Sequence, residues 1–397
     1  MLDSLITYFF WTSLFVVVYS IIGYPIVLYA LVLIKRTFGT SKTLTLDKIE
    51  FTEKVAVVIP CYNESDIIEE KVYNTLSLDY PKELLKIYVV ADGSTDNTSK
   101  VIQNLQNNGI DIHYFYDKKR AGKSAAINRV INKVKEEITV CTDANTLLNR
   151  MAIKEIIKNF KDKKVGCVCG EKRVLQEAGD VASSGEGAYW KYESFLKKLD
   201  AELTSVMGGA GELIAFRTNV YPQIPKKIIL DDFYLSMKIL LQGYKVAYEP
   251  KAFASEKASV SVREEMKRKI RIAAGGFQII FTLLPLFNIF KRGMVTFQYV
   301  SHRVLRWLFV PFALPLIYIA NFYLMVFVNP LYSLLFLGQT LMYTIAFIIH
   351  SIKRKTKPYK VFMLPYYYAI MNYCALLGFF RYLSGTQSSV WDKAIRK

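Results

Sequence analysis

Cysteine and histidine are scarce: the 397 residues hold five of the first and three of the second. Cys167 and Cys169 are one residue apart, which is neither zinc-finger nor redox spacing, and no histidine is placed to complete a metal site. Cys61, Cys141, Cys167, Cys169 and Cys374 therefore read as buried reduced thiols, mostly within expected strands of a cytosolic domain. No G-x-G-x-x-G and no Walker loop occurs, which argues against dinucleotide and P-loop sites. No small-residue cleavage site follows the first apolar stretch, which is too long for a signal-peptide core. A concentrated basic patch is missing as well. The net charge is +18, yet the basic residues are scattered or sit beside apolar segments, as in Lys35-Arg36 and Lys353-Arg354-Lys355. Such flanking charge fits the positive-inside rule and attraction to anionic lipid heads, and no nucleic-acid partner is expected.

What is present is apolar sequence at both ends and ordinary α/β sequence between them; 52% of the chain is apolar. Residues 5–34 are nearly uncharged and exceed the ~20 residues that cross a bilayer. Lys35, Arg36, Lys42 and Lys48 follow, so the chain should emerge on the cytoplasmic side. Residues 304–326 and 330–352 are further spanning candidates, joined by a turn at Asn329-Pro330, and Lys353–Lys357 returns the chain to the cytoplasm. Residues 362–383 are apolar but tyrosine-rich, and both a spanning and an interfacial placement stay open. The expected division is a transmembrane helix at 1–36, an α/β domain at 50–262, an amphipathic interfacial segment at 263–290, a membrane region at 303–384 and a basic tail at 385–397.

From Lys54 strands and helices alternate: strands at 55–60, 87–91 and 112–116, helices at 65–78, 95–106 and 122–135. This pattern predicts a doubly wound sheet with helices on both faces. The run Ile138-Thr139-Val140-Cys141-Thr142 then stops at Asp143-Ala144-Asn145, as a buried parallel strand does when it delivers polar groups to the carboxyl edge of a sheet. Ligands of open α/β sheets gather at that edge. Asp143 and Asn145, two apart on an extended chain, point the same way and could offer two oxygens to one hard cation. An ordinary Asp-Asn turn is the plain alternative. Glu64, after the first strand, and Asp92, after the second, could accept from a base or ribose. Lys123, opening a helix, could meet diphosphate together with the helix dipole. Here too a plain reading exists: Asp92-Gly93-Ser94 makes a good turn, and Lys123 could be solvated.

Together, 57–64, 89–96, Gly122-Lys123 and Asp143-Ala144-Asn145 resemble the family 2 glycosyltransferases, membrane-embedded synthases of the cellulose, hyaluronan and poly-N-acetylglucosamine type in particular. The resemblance covers roughly 54–278 and implies a GT-A-like doubly wound mixed sheet, cytoplasmic, between N- and C-terminal transmembrane helices. It implies an inverting transfer from a nucleotide-sugar donor, a UDP-sugar by preference, to a carbohydrate or lipid-linked acceptor. A divalent metal, Mg²⁺ or Mn²⁺, would be held by Asp143 and Asn145 beside the diphosphate. Asn145 stands where many members carry a second aspartate, so one charge is missing from that corner.

The resemblance also distributes roles farther along. Asp232, the second acid of Asp231-Asp232, would be the general base; without the family motif the same pair reads as an N-cap with first-turn charge. Gly211, Glu212, Asp231 and Trp190 would lie near the acceptor, although aromatic residues at helical spacing are commonly core. Arg268 and Arg271 fall in the place of the family's Q-x-x-R-W motif and would contact diphosphate. Arg268 replaces its glutamine and Ile272 its tryptophan, which removes a flat stacking surface for a sugar. The segment 263–278 is basic and amphipathic, suited to a membrane surface. Three functions follow: a polysaccharide synthase, a transferase adding one sugar to a lipid-linked or short acceptor, and a non-enzymatic membrane binding or transport protein.

Overall fold

The computed structural model describes residues 1–38, 50–175, 182–257, 262–352 and 360–388. Lys42, Lys48, Lys353–Lys357 and most of the 385–397 tail, to which topology or charge arguments attach, lie outside the described residues. Two compact units emerge, one of residues 32–175, 197–260 and 388–397, the other of 1–31, 176–196 and 261–387.

The first unit is built on one sheet of eight strands: β1 Val55–Cys61, β2 Leu85–Asp92, β3 Ile112–Asp117, β4 Ile138–Thr142, β5 Leu147–Leu148, β6 Val165–Leu175, β7 Leu213–Arg217 and β8 Lys245–Lys257. Their order is β3-β2-β1-β4-β7-β6-β8-β5. The first four run parallel, β7 is antiparallel to β4 and β6, and β8 is parallel to β6. The sheet is therefore mixed. Every residue of β1 is buried, as expected of a central parallel strand covered on both faces. The apolar core joins Val57, Ile59, Val89 and Val140 to Ile68, Ile102, Ile153 and Ile156 from the covering helices. β3, at the sheet edge, leaves His113 and Tyr116 exposed to solvent.

Parallel pairing has one consequence for function. β1, β2, β3 and β4 all end at the same edge, so their following loops share one neighbourhood. The helix expected from residue 65 begins instead at Ile68. Its would-be first N–H groups are already engaged: Glu64 N–H donates to Thr98 Oγ1 and Ser65 N–H to Asp96 Oδ2. β5, β7, β8 and the helix Ala152–Phe160 are elements that periodicity did not announce.

The second unit is helical. Continuous helical runs at Leu2–Phe38 (whose last residues, from Val32, fall in the first unit), Met294–Phe327 and Tyr332–Ser351 are long and apolar enough to cross a membrane, at 37, 34 and 20 residues. Helix Lys360–Leu383 is not among these three. Phe10 and Val17 pack with Val310, Ile317 and Leu324, while Leu316, Ile319, Leu334 and Leu337 face outward. Glu193 is buried with the guanidinium groups of Arg303 and Arg306, at 3.2 and 2.6 Å.

Candidate active site

A cavity opens at the carboxyl edge of β1, β2 and β4, lined by Tyr62, Glu64, Asp92, Arg120, Lys123, Asp143 and Asn145. The five cavity-facing residues that the sequence put forward, Glu64, Asp92, Lys123, Asp143 and Asn145, thus share one space. The loops behind it are cross-laced. Asn63, in the left-handed region at φ 52°, accepts from Thr95 N–H through Oδ1 at 2.8 Å, and Asn63 N–H donates to Ser94 Oγ at 3.1 Å. The Arg120 guanidinium lies 3.7 Å from the centre of the Tyr62 ring.

Asp92 is the brace of this wall. Its Oδ2 accepts from the N–H groups of Ala121 and Gly122 at 2.9 and 2.6 Å, and its Oδ1 from Arg129 at 2.7 Å. With 4% of its surface exposed, most of its acceptor capacity is spent inside the protein. Gly93 follows at φ +72°, where a Cβ would come within 2.7 Å of the Arg120 backbone nitrogen; only glycine fits. The turn suggested by Asp92-Gly93-Ser94 is therefore real, and the carboxylate that starts it fixes the loop carrying Lys123.

Lys123 is not a solvated surface lysine. Its Nζ donates to Asp143 Oδ1 at 2.5 Å and to the Gly211 carbonyl at 2.9 Å. Burial disfavours its charge, but Asp143, Asp231 and Asp232 outweigh that and hold the ammonium above the ordinary lysine range. Gly211 lies between this lysine and Asp232. A Cβ there would lie 3.2 Å from Lys123 Nζ and 3.3 Å from Asp232 Oδ2.

Asp231 and Asp232 open the helix Asp231–Leu241; its N-cap is Leu230, so the pair sits in the first turn and neither acid caps. Asp232 Oδ1 accepts from Phe233 N–H at 2.8 Å. Burial, then the adjacent Asp231 charge, push the Asp232 carboxyl up to about 7, with Lys123 pulling the other way. A carboxylate poised there can take a proton near neutral pH. Glu212 is anchored by Lys172, whose buried Nζ lies 2.5 Å from Glu212 Oε1 and also meets Glu256.

A divalent cation is implied by the resemblance, and the donor atoms suit a hard one. Asp143 and Asn145 bring a carboxylate and an amide oxygen to the same cavity, with no thiolate or imidazole beside them. Among the described residues no group of three His, Cys, Asp or Glu side chains could hold an ion. Asp143 and Asn145 thus bring two oxygen donors to this cavity, a donor set that fits a hard divalent cation.

Trp190, Arg268 and Arg271 belong to the helical unit. There Arg268 pairs with Glu265 at 3.0 Å, and the Lys269 ammonium lies 5.9 Å from the Trp190 ring. Sequence reading passed over Arg120, Arg129, Lys71 and Lys172. The first two follow β3 within reach of Asp92's loop, a signal that the charge pattern of residues 118–129 carried; a buried lysine leaves no mark in sequence.

Known proteins resemble this chain in sequence and in fold. A family described as "Glycosyltransferase like family 2" matches residues 53–275. Poly-beta-1,6-N-acetyl-D-glucosamine synthase of Staphylococcus aureus (strain MSSA476) is 27% identical over 270 residues, 67% of this chain and 64% of that protein. The synthase of the same name from Staphylococcus epidermidis is 25% identical over 271 residues, with the same shares of the two chains. The chain thus spans just under two thirds of the length of these relatives. A mannosyltransferase from Pyrobaculum calidifontis, solved with GDP-Man and Mn²⁺, matches with a TM-score of 0.70 at 22% identity, covering 96% of this chain and 99% of that one. At that identity the likeness speaks for the fold, a GT-A-like mixed sheet with helices. The family match takes in more than half of the sequence, and with the carboxyl-edge cavity, the Asp143 corner and the Asp231-Asp232 pair all inside it, the chain belongs to the family 2 glycosyltransferases.

Proposed function

We propose that this protein is an inverting glycosyltransferase that moves a sugar from a nucleotide-sugar, a UDP-sugar by preference, to a growing polysaccharide at the inner face of a membrane. The observation that carries this reading is the ammonium of Lys123 set among Asp143, Asp231 and Asp232 at the carboxyl-edge cavity. Asp232 takes the proton of the acceptor hydroxyl as that oxygen attacks the anomeric carbon from the face opposite the leaving group. The bond from the anomeric carbon to phosphate oxygen breaks, and its electron pair leaves with the nucleoside diphosphate. An α-linked donor gives a β-linkage. Lys123 meets the charge that grows on the diphosphate, and such preorganised charge is a large contributor to rate. Asp143 and Asn145 would hold the divalent cation, which when bound supplies further positive charge to the diphosphate oxygens.

Glu64 and the loop braced by Asp92 serve the nucleoside end. Gly211, Glu212 and Asp231 serve the acceptor end. The resemblance assigns Arg268 and Arg271 to the diphosphate and Trp190 to the acceptor sugar, and those roles are part of the proposal. Three apolar helices and the Lys35-Arg36 pair at the end of the first support a membrane protein whose sheet domain is cytoplasmic. A second reading, addition of one sugar to a lipid-linked or short acceptor, is favoured by Ile272, which offers no flat stacking surface where processive members carry tryptophan.

The test is a donor screen. Purified full-length protein in lipid is given radiolabelled UDP- and GDP-sugars, with released nucleotide and product size both measured. A polymer ladder supports the first reading and a single lipid-extractable product the second. Nucleotide release from no donor overturns both. Full activity in excess chelator removes the metal from the scheme.

A further inference from the structure

Lys71, on the helix Ile68–Leu76, is fully buried, an unusual position for a lysine. Its Nζ donates to Thr142 Oγ1 at 2.9 Å and to the Thr146 carbonyl at 2.7 Å. These two residues bracket the Asp143-Ala144-Asn145 turn. Inside the bracket the turn closes on itself, Thr146 Oγ1 donating to the Asp143 carbonyl at 2.9 Å. Thr142 Oγ1, which accepts from Lys71, passes its own proton onward to the Glu212 carbonyl at 3.0 Å. The Glu212 side chain is held by Lys172 at 2.5 Å. One chain of hydrogen bonds therefore runs from the helix after β1, under the Asp143 loop, to the loop carrying Gly211 and Glu212.

We propose that Lys71 is a positioning residue: from beneath the sheet edge it fixes the Asp143–Asn145 turn, and through Thr142 it ties that turn to the Gly211-Glu212 loop, so that the diphosphate and acceptor sides of the site are held in register. This rests on the glycosyl-transfer reading of the cavity.

A structural lysine needs only to fill space and satisfy its nitrogen, and a methionine would fill the same space. The distinguishing feature is where the two bonds go. Both end on the segment that presents Asp143 and Asn145, and none of them touches the nucleotide cavity itself, whose lining does not include Lys71. Burial pushes the Lys71 amine down to about 7, with Asp143 pulling it back up. The tie survives either charge state, because a neutral amine keeps two N–H groups and two acceptors are present. Groups that orient a ligating side chain from behind are worth roughly 10–100-fold in metal affinity or activity when removed.

The experiment compares the full-length protein with Lys71→Met, which keeps volume and loses both bonds, and with Thr142→Val, which keeps shape and loses the hydroxyl. UDP is titrated in the presence of Mn²⁺, with GDP as the alternative, and the dissociation constant and the number of sites per molecule are read separately from turnover. Positioning predicts a Kd raised roughly 10–100-fold at an unchanged number of sites in both variants, with Thr142→Ser restoring most of the loss. It also predicts that Lys71→Met with Thr142→Val costs little more than either alone, because they break one chain. A merely structural role lowers the number of competent sites and leaves Kd alone; that result, or wild-type Kd in both variants, overturns the proposal. If Lys71→Met does not fold, Thr142→Val and Thr142→Ser decide it. Failure of the wild-type protein to bind UDP or GDP overturns the glycosyl-transfer reading and this inference with it, an outcome visible before any variant is made.

Discussion

Asp92 and Asp143 stand at the same edge of the same sheet, on strands either side of β1, and the fold treats them in opposite ways. Asp92 receives two backbone N–H groups and a guanidinium and is 4% exposed. Asp143 receives one lysine ammonium, is 19% exposed at its side chain, and shares that ammonium's field with Asp231 and Asp232. A carboxylate whose lone pairs are taken by the protein shapes a loop. One that shares its lysine's field with two other acids sits in a less fully compensated cluster, a setting that suits a bound cation. On the proposed reading, the side around Asp92 serves as scaffold and the side around Asp143, Asp231 and Asp232 carries the chemistry.

The sharpest way to break this contrast is at Asp232. Asp232→Asn removes the proposed base and should lower transfer by roughly 10²–10⁴-fold while nucleotide affinity stays near wild type. Stability should move the other way. The folded-state proton affinity of Asp232 is raised from 3.8 to about 7, so its stabilising contribution is complete below pH 3.8 and lost as pH rises through about 7. The asparagine variant carries no such loss, and its melting temperature at pH 8 should exceed wild type by about 2–4 °C for each kcal/mol regained. The gap should narrow as the pH is lowered toward 4. Equal turnover, or a variant less stable than wild type at pH 8, would place Asp232 with the scaffold.

Lys123 comes next. Lys123→Met takes away the one ammonium among three acids, and loss of roughly 10²–10³-fold in kcat is expected by analogy with a deleted charge-stabilising donor. Its diagnostic is the pH profile. Lys123 holds Asp232's proton affinity down, so the acid limb of kcat/KM, expected near pH 7 in the wild type, should move to higher pH in the variant. Asp231→Asn should move the same limb to lower pH, because the Asp231 charge raises Asp232. A profile unmoved by both substitutions would mean that another group sets the limb.

Much of this contrast could be read in the sequence, and the part that could not has a physical cause. Strands such as Val55–Cys61 and Ile138–Thr142 announce themselves because a parallel strand buried on both faces is a near-continuous β-branched run. The acids that end them follow from the rule that such sheets bind at the carboxyl edge. β7 is only five residues long, β8 is interrupted by a register shift where it passes Pro250, and their pairing to β4 and β6 is long-range, so neither leaves a clean periodic run. Among the site residues, position was legible and occupancy was not. Nothing in Ala91-Asp92-Gly93 says that the carboxylate will be filled by Ala121, Gly122 and Arg129, some 30 residues later. The burial of Lys71 and Lys172 was equally silent, since a lysine in a helix or strand reads as a solvated face until its partners are located.

The smallest effect tests the junction of the two sides. Gly211 carries no side chain between Lys123 Nζ and Asp232 Oδ2, and its carbonyl holds the lysine. In Gly211→Ala the added methyl would sit at 3.2 and 3.3 Å from those atoms, closer than ordinary van der Waals contact but within what a side-chain shift of a few tenths of an ångström relieves. Both neighbours are tethered, Lys123 to Asp143 and the Gly211 carbonyl and Asp232 to its own helix through Phe233 N–H, so the shift is small and shared. A displacement of that size should cost less than the roughly 10²-fold attached to a 1 Å misplacement, and it should fall on turnover more than on nucleotide binding. It should also loosen Lys123 from Asp232, so the acid limb drifts upward, in the direction of Lys123→Met but by less. If Gly211→Ala left both rate and limb untouched, the placement of the ammonium relative to the base would have no part in setting the proton affinity of Asp232, and the contrast between the two sides would rest on burial and Asp231.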